Sequence, residues 1–174
     1  VVDDCDYAIS TNPVQPLQST MDAACAFVDL LDADDDKAGL ATYVWGATLD
    51  QQLTPSWESL QEALQSFEPS GATAEADGMK VAIDELALSG RAEGFGHKIM
   101  ILLTDGKANV RDGEYYAGTE SYEFLGQWVE DCEITEYVAR ALEEQAIRAK
   151  EEGIRIYCVS FGEGADTKLQ SIIA

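Results

Sequence analysis

The sequence is poor in histidine, and this shortage limits the classes of function that the protein can have. His97 is the one histidine among 174 residues. A serine or cysteine nucleophile usually needs a histidine as its base, and a zinc site that contains histidine usually needs more than one. His97 precedes an apolar run, at the amino end of the strand that this run predicts, whereas α/β sheets place their sites at the carboxyl ends of strands. We therefore expect a protein that is not an enzyme, with His97 as a surface or packing residue.

Basic residues are also scarce. Lysine and arginine total 11 against 33 aspartate and glutamate residues, so the formal net charge is −22. A protein with this charge is repelled by nucleic-acid phosphates and by anionic lipid headgroups. With 46% hydrophobic residues the composition is that of a globular protein rather than a disordered one. The charge therefore excludes nucleic acid as a partner and favours cations, above all divalent metals.

Long apolar runs and cysteine motifs are missing as well. No stretch approaches the roughly 18 apolar residues of a membrane-spanning helix, and no signal peptide is visible. The four cysteines show no CxxC spacing, which argues against a cysteine metal site. Cys25 lies in a predicted helix and Cys158 in a predicted strand, so we expect both thiols to be buried. The length of the chain is that of a single domain.

Helical and strand patterns alternate along the chain. The predicted strands are Leu40–Trp45, Thr48–Leu53, Ile99–Leu103 and Ile154–Phe161, and the predicted helices cover Leu17–Leu31, a segment from Thr54, a segment after Thr73, Thr135–Glu152 and a segment from Asp166. Because one strand is apolar throughout, we expect a mostly parallel sheet with helices on both faces. The fold class is therefore α/β.

Two segments place oxygen ligands at one edge of this sheet. Asp105 follows the apolar strand directly, and Thr73 precedes a helix in the segment Ser70–Thr73. Both belong at the carboxyl edge, where hard divalent cations would find carboxylate, hydroxyl and water oxygens. Taken singly, an Asp-Gly turn and a threonine at a helix start are common features, and only their order along the chain is informative.

The order and spacing of these segments resemble the von Willebrand factor A domain family over roughly residues 14–174. The segments that carry the resemblance are Leu17–Leu31, Asp36–Tyr43, Ser70–Thr73, Asp77–Met79, Leu102–Asn109 and Gly153–Gly162. Within the family the chain looks most like bacterial surface and pilus-assembly members of the tight-adherence type. The resemblance implies a doubly wound sheet with a metal-ion-dependent adhesion site at its carboxyl edge.

In the family, three segments form that site: an Asp-x-Ser-x-Ser loop after the first strand, a threonine, and an aspartate after the fourth strand. Thr73 matches the second segment and Asp105 the third, but the first is absent, since Asp3–Asp6 lacks the serines. The central first strand and a last edge strand after Ala174 are also missing. We therefore expect residues 1–174 to be one incomplete domain with a gap between Tyr43 and Met100, unless another polypeptide supplies the strand.

The resemblance implies a function in adhesion or assembly. Thr73 and Asp105 would hold Mg²⁺, or else Ca²⁺ or Mn²⁺, and the ion would accept a carboxylate from a protein partner at an extracytoplasmic location. Because a bound cation inverts the local charge, an acidic partner could then approach this acidic protein. The alternative is a structural domain that has lost its metal. A nucleotide-binding enzyme is disfavoured because neither GxGxxG nor GxxxxGK[ST] occurs.

Residues 107–134 form an aromatic and acidic insert at the same edge. We predict a recognition surface there, in which Tyr115, Tyr116 and Trp128 bind the partner, with Tyr122 and Phe124 as further candidates. The alternative is a small satellite core that holds the loop down.

Two further hypotheses concern cysteine and calcium. Cys5 and Cys132 are both expected at the site face, which favours a disulfide between them. The acidic turn Asp32–Asp36 lacks the glycine and glutamate of an EF-hand at the required positions, so we expect a solvated helix-end loop.

Overall fold

The structure is a computed structural model that describes residues 16–66, 71–160 and 167–174. It contains five helices and eight strands in these ranges. The helices are α1 (Pro16–Val28), α2 (Trp57–Gln65), α3 (Glu75–Leu88), α4 (Glu136–Glu151) and α5 (Thr167–Ile173). The strands are β1 (Ala38–Tyr43), β2 (Ala47–Thr54), β3 (Lys98–Thr104), β4 (Val110–Arg111), β5 (Glu114–Tyr115), β6 (Glu120–Phe124), β7 (Gln127–Cys132) and β8 (Ile154–Ser160). The mixed α/β architecture expected from the sequence is confirmed.

The described strands pair two by two. β1 and β2 form an antiparallel hairpin, and β3 and β8 form a parallel pair in unbroken register from Lys98–Ile154 to Thr104–Ser160. Within the described ranges, β1 pairs only with β2 and β3 only with β8. The phenol of Tyr43, at the end of β1, donates a hydrogen bond to the Leu103 carbonyl oxygen of β3 at 2.5 Å. In the described ranges β1 and β3 are thus joined by a side chain and not by strand pairing, and the predicted gap between them stays a prediction.

The main core lies on one face of the β3–β8 pair. Along β3 the side chains of Met100 and Leu102 are buried, and along β8 those of Ile154 and Ile156 are buried. Helices α3 and α4 contribute Met79, Ile83, Leu142 and Ala146 to the same hydrophobic cluster. The other face carries four apolar side chains that are 37–47% exposed: Ile99, Ile101, Tyr157 and Val159. The described helices thus cover one face of this pair rather than the two expected from the sequence.

Helix α2 begins two residues later than the Thr54-Pro55 pattern predicts. The Ser56 hydroxyl accepts the backbone N–H of Ser59 at 3.4 Å, which makes Ser56 the N-cap. The Thr54 hydroxyl accepts the backbone N–H of Ser56 at 3.0 Å. The predicted cap residue therefore shapes the turn before the helix, and a second hydroxyl caps the helix itself. The predicted inward residues Leu60 and Leu64 are buried, and the predicted Phe67 lies outside the described residues.

The insert contains two tight hairpins, β4–β5 and β6–β7. Their two-residue turns, Asp112-Gly113 and Leu125-Gly126, all have positive φ, at 54°, 76°, 48° and 78° in chain order. This is the geometry of a type I′ turn, which matches the right-handed twist of the flanking strands. Asp-Gly between two short runs is the sequence signal for the first hairpin.

Two aromatic residues of the insert belong to the main core. Tyr122 and Phe124 alternate on β6 and are buried together with residues of α4. The Tyr122 hydroxyl also donates to the Ile134 carbonyl oxygen at 2.7 Å. The expectation of a recognition surface that includes these two residues is therefore wrong, and so is that of a separate satellite core around them.

None of the helices in the described ranges has the length and apolar content to cross a bilayer.

Candidate metal-binding site

The loop that precedes α3 is joined to the loop that follows β3. The Thr73 N–H donates to the Asn109 side-chain oxygen at 2.9 Å, and the Asn109 N–H donates to the Thr73 carbonyl oxygen at 3.1 Å. Thr104 stabilises the start of the second loop because its hydroxyl donates to the Gly106 carbonyl oxygen at 3.2 Å. The two segments that carry Thr73 and Asp105 therefore meet at the carboxyl edge of β3.

The threonine hydroxyl lies beside Gly106. A β-carbon placed on Gly106 would lie 3.1 Å from Thr73 Oγ1, closer than an unstrained contact allows. Gly106 directly follows Asp105, so the absence of a side chain lets the hydroxyl come close to the backbone next to the carboxylate. The structure thus brings the two ligands predicted from the sequence to neighbouring positions.

The Asp105 carboxylate faces solvent. It is exposed, and no residue of the described ranges makes a hydrogen bond or an ion pair with it. A carboxylate that the described residues leave without a partner at a sheet edge is open to a ligand from solution. Hydroxyl and carboxylate oxygens are the donors that Mg²⁺ and Ca²⁺ prefer, so the chemistry of this pair fits a hard divalent cation.

The described residues do not by themselves form a complete metal site. Within residues 16–66, 71–160 and 167–174, no group of three or more histidine, cysteine, aspartate and glutamate side chains is arranged to hold a metal ion. Thr73 and Asp105 would therefore hold an ion together with water or with residues outside these ranges. Mg²⁺ commonly keeps several waters and binds through one or two carboxylates, which agrees with so small a donor set.

A buried carboxylate that the sequence reasoning missed lies behind this edge. Glu75 is the first residue of α3 and only 1% exposed. Its position in the first turn is favourable because the amino end of a helix carries partial positive charge. The signal in the sequence was an acidic residue at a helix start, two positions after Thr73.

Glu75 acts on two neighbouring groups. Burial, with the Glu75 charge as the next cause, raises the pKa of the Tyr43 hydroxyl, and the same two causes raise the pKa of the Cys158 thiol to about 11. Both groups therefore stay protonated at neutral pH.

The predicted burial of Cys25 is confirmed, whereas Cys158 is only partly buried.

The aromatic residues predicted to contact a partner lie in different surroundings. Tyr115 and Trp128 are 56% and 65% exposed, on β5 and β7. The ring of Tyr116 packs against that of Tyr137 at 4.9 Å, and the Arg111 guanidinium lies 4.3 Å above the Tyr137 ring. The Tyr116 N–H donates to the Asn109 carbonyl oxygen at 2.7 Å. Tyr116, which directly follows β5, is thus bonded to Asn109 in the loop after β3, and Asn109 is the residue that bonds Thr73.

The cysteine pair remains a prediction. Cys132 is buried at the end of β7, and Cys5 lies outside the described residues.

The acidic turn is closed by its own aspartate side chains. The Asp32 N–H donates to the Asp36 carboxylate at 3.0 Å, and the Asp34 N–H donates to the Asp32 carboxylate at 3.0 Å. These bonds are those of a helix-end turn that satisfies its own N–H groups.

The helices, the strands and the parallel β3–β8 pair define an α/β domain with a hydroxyl and a carboxylate on loops at its carboxyl edge. The von Willebrand factor type A domain profile matches residues 8–174, so the chain belongs to that family. Domains of this family commonly bind other proteins, and many hold a divalent metal.

Solved structures of proximal thread matrix protein 1 from the mussel byssus share the fold. One has 24% sequence identity and a TM-score of 0.62, and covers 91% of this chain and 35% of its own. Another, solved with a zinc-occupied MIDAS motif, has 23% identity and a TM-score of 0.60, and covers 91% and 36%. The chain thus spans about a third of the length of these proteins. Among curated proteins, none matches the sequence.

Proposed function

We propose that this chain is a non-enzymatic module that binds a protein partner through a divalent cation, with Thr73 and Asp105 as metal ligands. The observation that carries the proposal is the junction of the two loops through Thr73 and Asn109, which places the Thr73 hydroxyl beside Gly106. Mg²⁺ is the proposed ion, and Ca²⁺ and Mn²⁺ have the same preference for oxygen ligands.

The cation would set which partner binds. Asp105, the buried Glu75 and a net charge of −22 make the bare edge repulsive to an acidic side chain. A bound divalent ion reverses this local charge and can accept a carboxylate oxygen at a position that water would otherwise hold. We therefore propose a protein ligand with an exposed aspartate or glutamate.

The exposed aromatic residues would extend the contact. Tyr115 and Trp128 present large amphipathic surfaces, and tyrosine and tryptophan are enriched among the residues that dominate protein interfaces. The Tyr116 ring packs against that of Tyr137, and the Tyr116 N–H donates to Asn109 in the loop after β3. We propose that the partner contacts Tyr115, Tyr116 and Trp128 next to the metal.

Titration of Mg²⁺ into the whole chain by calorimetry tests the metal ligands without a known partner. Asp105→Ala should weaken Mg²⁺ binding at least about tenfold, or about 1.4 kcal/mol, because the charged ligand is lost. Asp35→Ala is a matched control, since it removes the same charge from the exposed acidic turn. Thermal unfolding of both variants should match the wild type. Equal Mg²⁺ affinity in Asp105→Ala and wild type would contradict the assignment.

A structural domain without a metal is the second candidate. The finding that favours it is that the described residues contain no group of three metal-ligating side chains. In that case the wild type would show no saturable Mg²⁺, Ca²⁺ or Mn²⁺ binding, and excess chelator would leave its assembly unchanged.

The cellular setting is also a proposal. Adhesion or assembly through a metal would suit an extracytoplasmic protein, and the segment from Pro16 to Asp36 resembles bacterial pilus-assembly members of the family. Fractionation of the source cells, with the chain detected by antibody, would place it.

A further inference from the structure

One residue, Asn109, makes hydrogen bonds to both parts of the proposed binding surface. Its side-chain oxygen accepts the Thr73 N–H at 2.9 Å, and its own N–H donates to the Thr73 carbonyl oxygen at 3.1 Å. Its carbonyl oxygen accepts the Tyr116 N–H at 2.7 Å. Asn109 therefore lies between the proposed metal ligand Thr73 and the aromatic hairpin β4–β5.

We propose that Asn109 is a positioning residue that holds the Thr73 hydroxyl at the metal edge and couples this edge to the aromatic hairpin. This inference rests on the proposed metal-dependent function. Mutation of residues that orient metal ligands through hydrogen bonds without touching the ion typically costs about tenfold to a hundredfold in metal affinity. Asn109 acts through the backbone of Thr73, so it would fix where the hydroxyl lies without ligating the ion.

The geometry explains why a side-chain acceptor is needed at this position. Thr73 lies just before α3, whose first residue is Glu75, and the Ala74 N–H is taken by the Val44 carbonyl oxygen at 2.8 Å. The Thr73 N–H is partly buried and points across to the second loop, where the Asn109 side chain receives it. Without that acceptor, one backbone bond to Asn109 would remain and the peptide of Thr73 could rotate about it.

The link to Tyr116 predicts coupling between the two parts of the surface. A metal that binds the Thr73 hydroxyl would restrain the same residue that Asn109 hydrogen-bonds. The carbonyl oxygen of Asn109 in turn accepts the Tyr116 N–H. Binding of Mg²⁺ should therefore slow hydrogen exchange at the amides of both Thr73 and Tyr116. The metal would then also prepare the hairpin for the partner.

Two variants separate positioning from general stability. Asn109→Ala removes the side-chain acceptor, and Asn109→Asp keeps an acceptor of the same size that can bond the Thr73 N–H more strongly. With Mg²⁺ alone as the probe, we expect calorimetry to show binding at least about tenfold weaker in Asn109→Ala and within about threefold of wild type in Asn109→Asp. Gln61→Ala is the control, because it removes an amide hydrogen bond, to Asp29 at 3.2 Å, on another element.

The outcomes are distinct. If wild type binds Mg²⁺ and Asn109→Ala binds it equally well, or if Asn109→Asp fails as badly as Asn109→Ala, the positioning role is overturned. If wild type itself binds no Mg²⁺, the proposed function fails and the metal-positioning role of Asn109 fails with it. Hydrogen exchange then still decides the link between the loops. Faster exchange at Thr73 and Tyr116 in Asn109→Ala than in Asn109→Asp supports that link, and equal exchange overturns it.

Discussion

The two faces of the β3–β8 pair carry similar side chains and have different surroundings. On the inner face Met100 and Leu102 pack into the cluster formed with α3 and α4. On the outer face Ile99 and Ile101 of the same strand remain 47% and 37% exposed. The amino-acid types on the two faces are nearly the same. The difference shows that the helices that reach a face, and not the side chains on it, determine whether that face is buried. Among the described residues, the packing that stabilises the pair is on the inner face.

The largest expected effect is on the inner face. Leu102→Ala should lower the free energy of unfolding by about 2–4 kcal/mol, because it removes most of a buried side chain and leaves a cavity between β3 and its helices. Urea denaturation followed by far-UV circular dichroism measures it. A loss below about 1 kcal/mol would show that the inner face is as loosely covered as the outer one.

The next effect concerns the attachment of α3, the helix that covers the inner face. Glu85 is buried on α3, accepts the Leu53 N–H of β2 at 2.8 Å and lies 3.5 Å from the Arg91 guanidinium. Glu85→Gln should cost about 1–2 kcal/mol, since it removes the charge that strengthens both interactions. Glu62→Gln, on the exposed side of α2, is the control and should be neutral in the same denaturation experiment. Equal costs would mean that Glu85 does not anchor the helix.

A smaller effect links the two covering helices and depends on pH. Burial alone would raise the pKa of Asp84, but hydrogen bonds from Arg148 of α4 and from Lys80 outweigh it and lower that pKa. A carboxyl whose pKa is lowered in the folded state adds stability above its unfolded value, ordinarily about 3.9, and that stability is lost as the pH falls through the lowered value.

Asp84→Asn should therefore destabilise the protein at pH 7 and have no effect well below pH 3. Because the Asp84 side chain is 37% exposed, water screens the pair and we expect less than about 1 kcal/mol at pH 7. Unfolding curves of wild type and variant across this pH range measure the difference. A constant difference between pH 7 and pH 2.5 would exclude the charge as its cause.

The hydrophobic periodicity of the sequence predicts many of the helices and strands. It does not predict what packs around each of them. The run Ile99–Leu103 predicts a strand, and a helix start follows Thr73, as the structure confirms. Whether both faces of that strand are covered depends on distant segments, which the local pattern does not contain. For the same reason the composition of the insert wrongly predicts Tyr122 and Phe124 at a partner surface, although their alternation on one strand face is a sign of burial in the core.

The candidate site shows the same division. The order of the segments, which resembles that of the family, predicts that Thr73 before α3 and Asp105 after β3 meet at the carboxyl edge of the sheet. Asn109 and Glu75 were not singled out. The hydrogen bonds of Asn109 join loop backbones with no periodic pattern, and a glutamate in a first helical turn is usually solvated. Side chains that bond to loop backbone can therefore be identified only from the structure.

The smallest expected effect is on the outer face, and it tests the comparison itself. Ile99→Thr keeps a β-branched side chain suited to a strand and exchanges a half-exposed ethyl group for a hydroxyl. Because about half of the side chain already meets water, the free energy of unfolding should fall by no more than about 0.5 kcal/mol. A loss above about 1.5 kcal/mol would require an apolar neighbour over Ile99 in the folded protein. The outer face would then be covered in solution, and the two faces of β3 would differ only in which part of the polypeptide covers them.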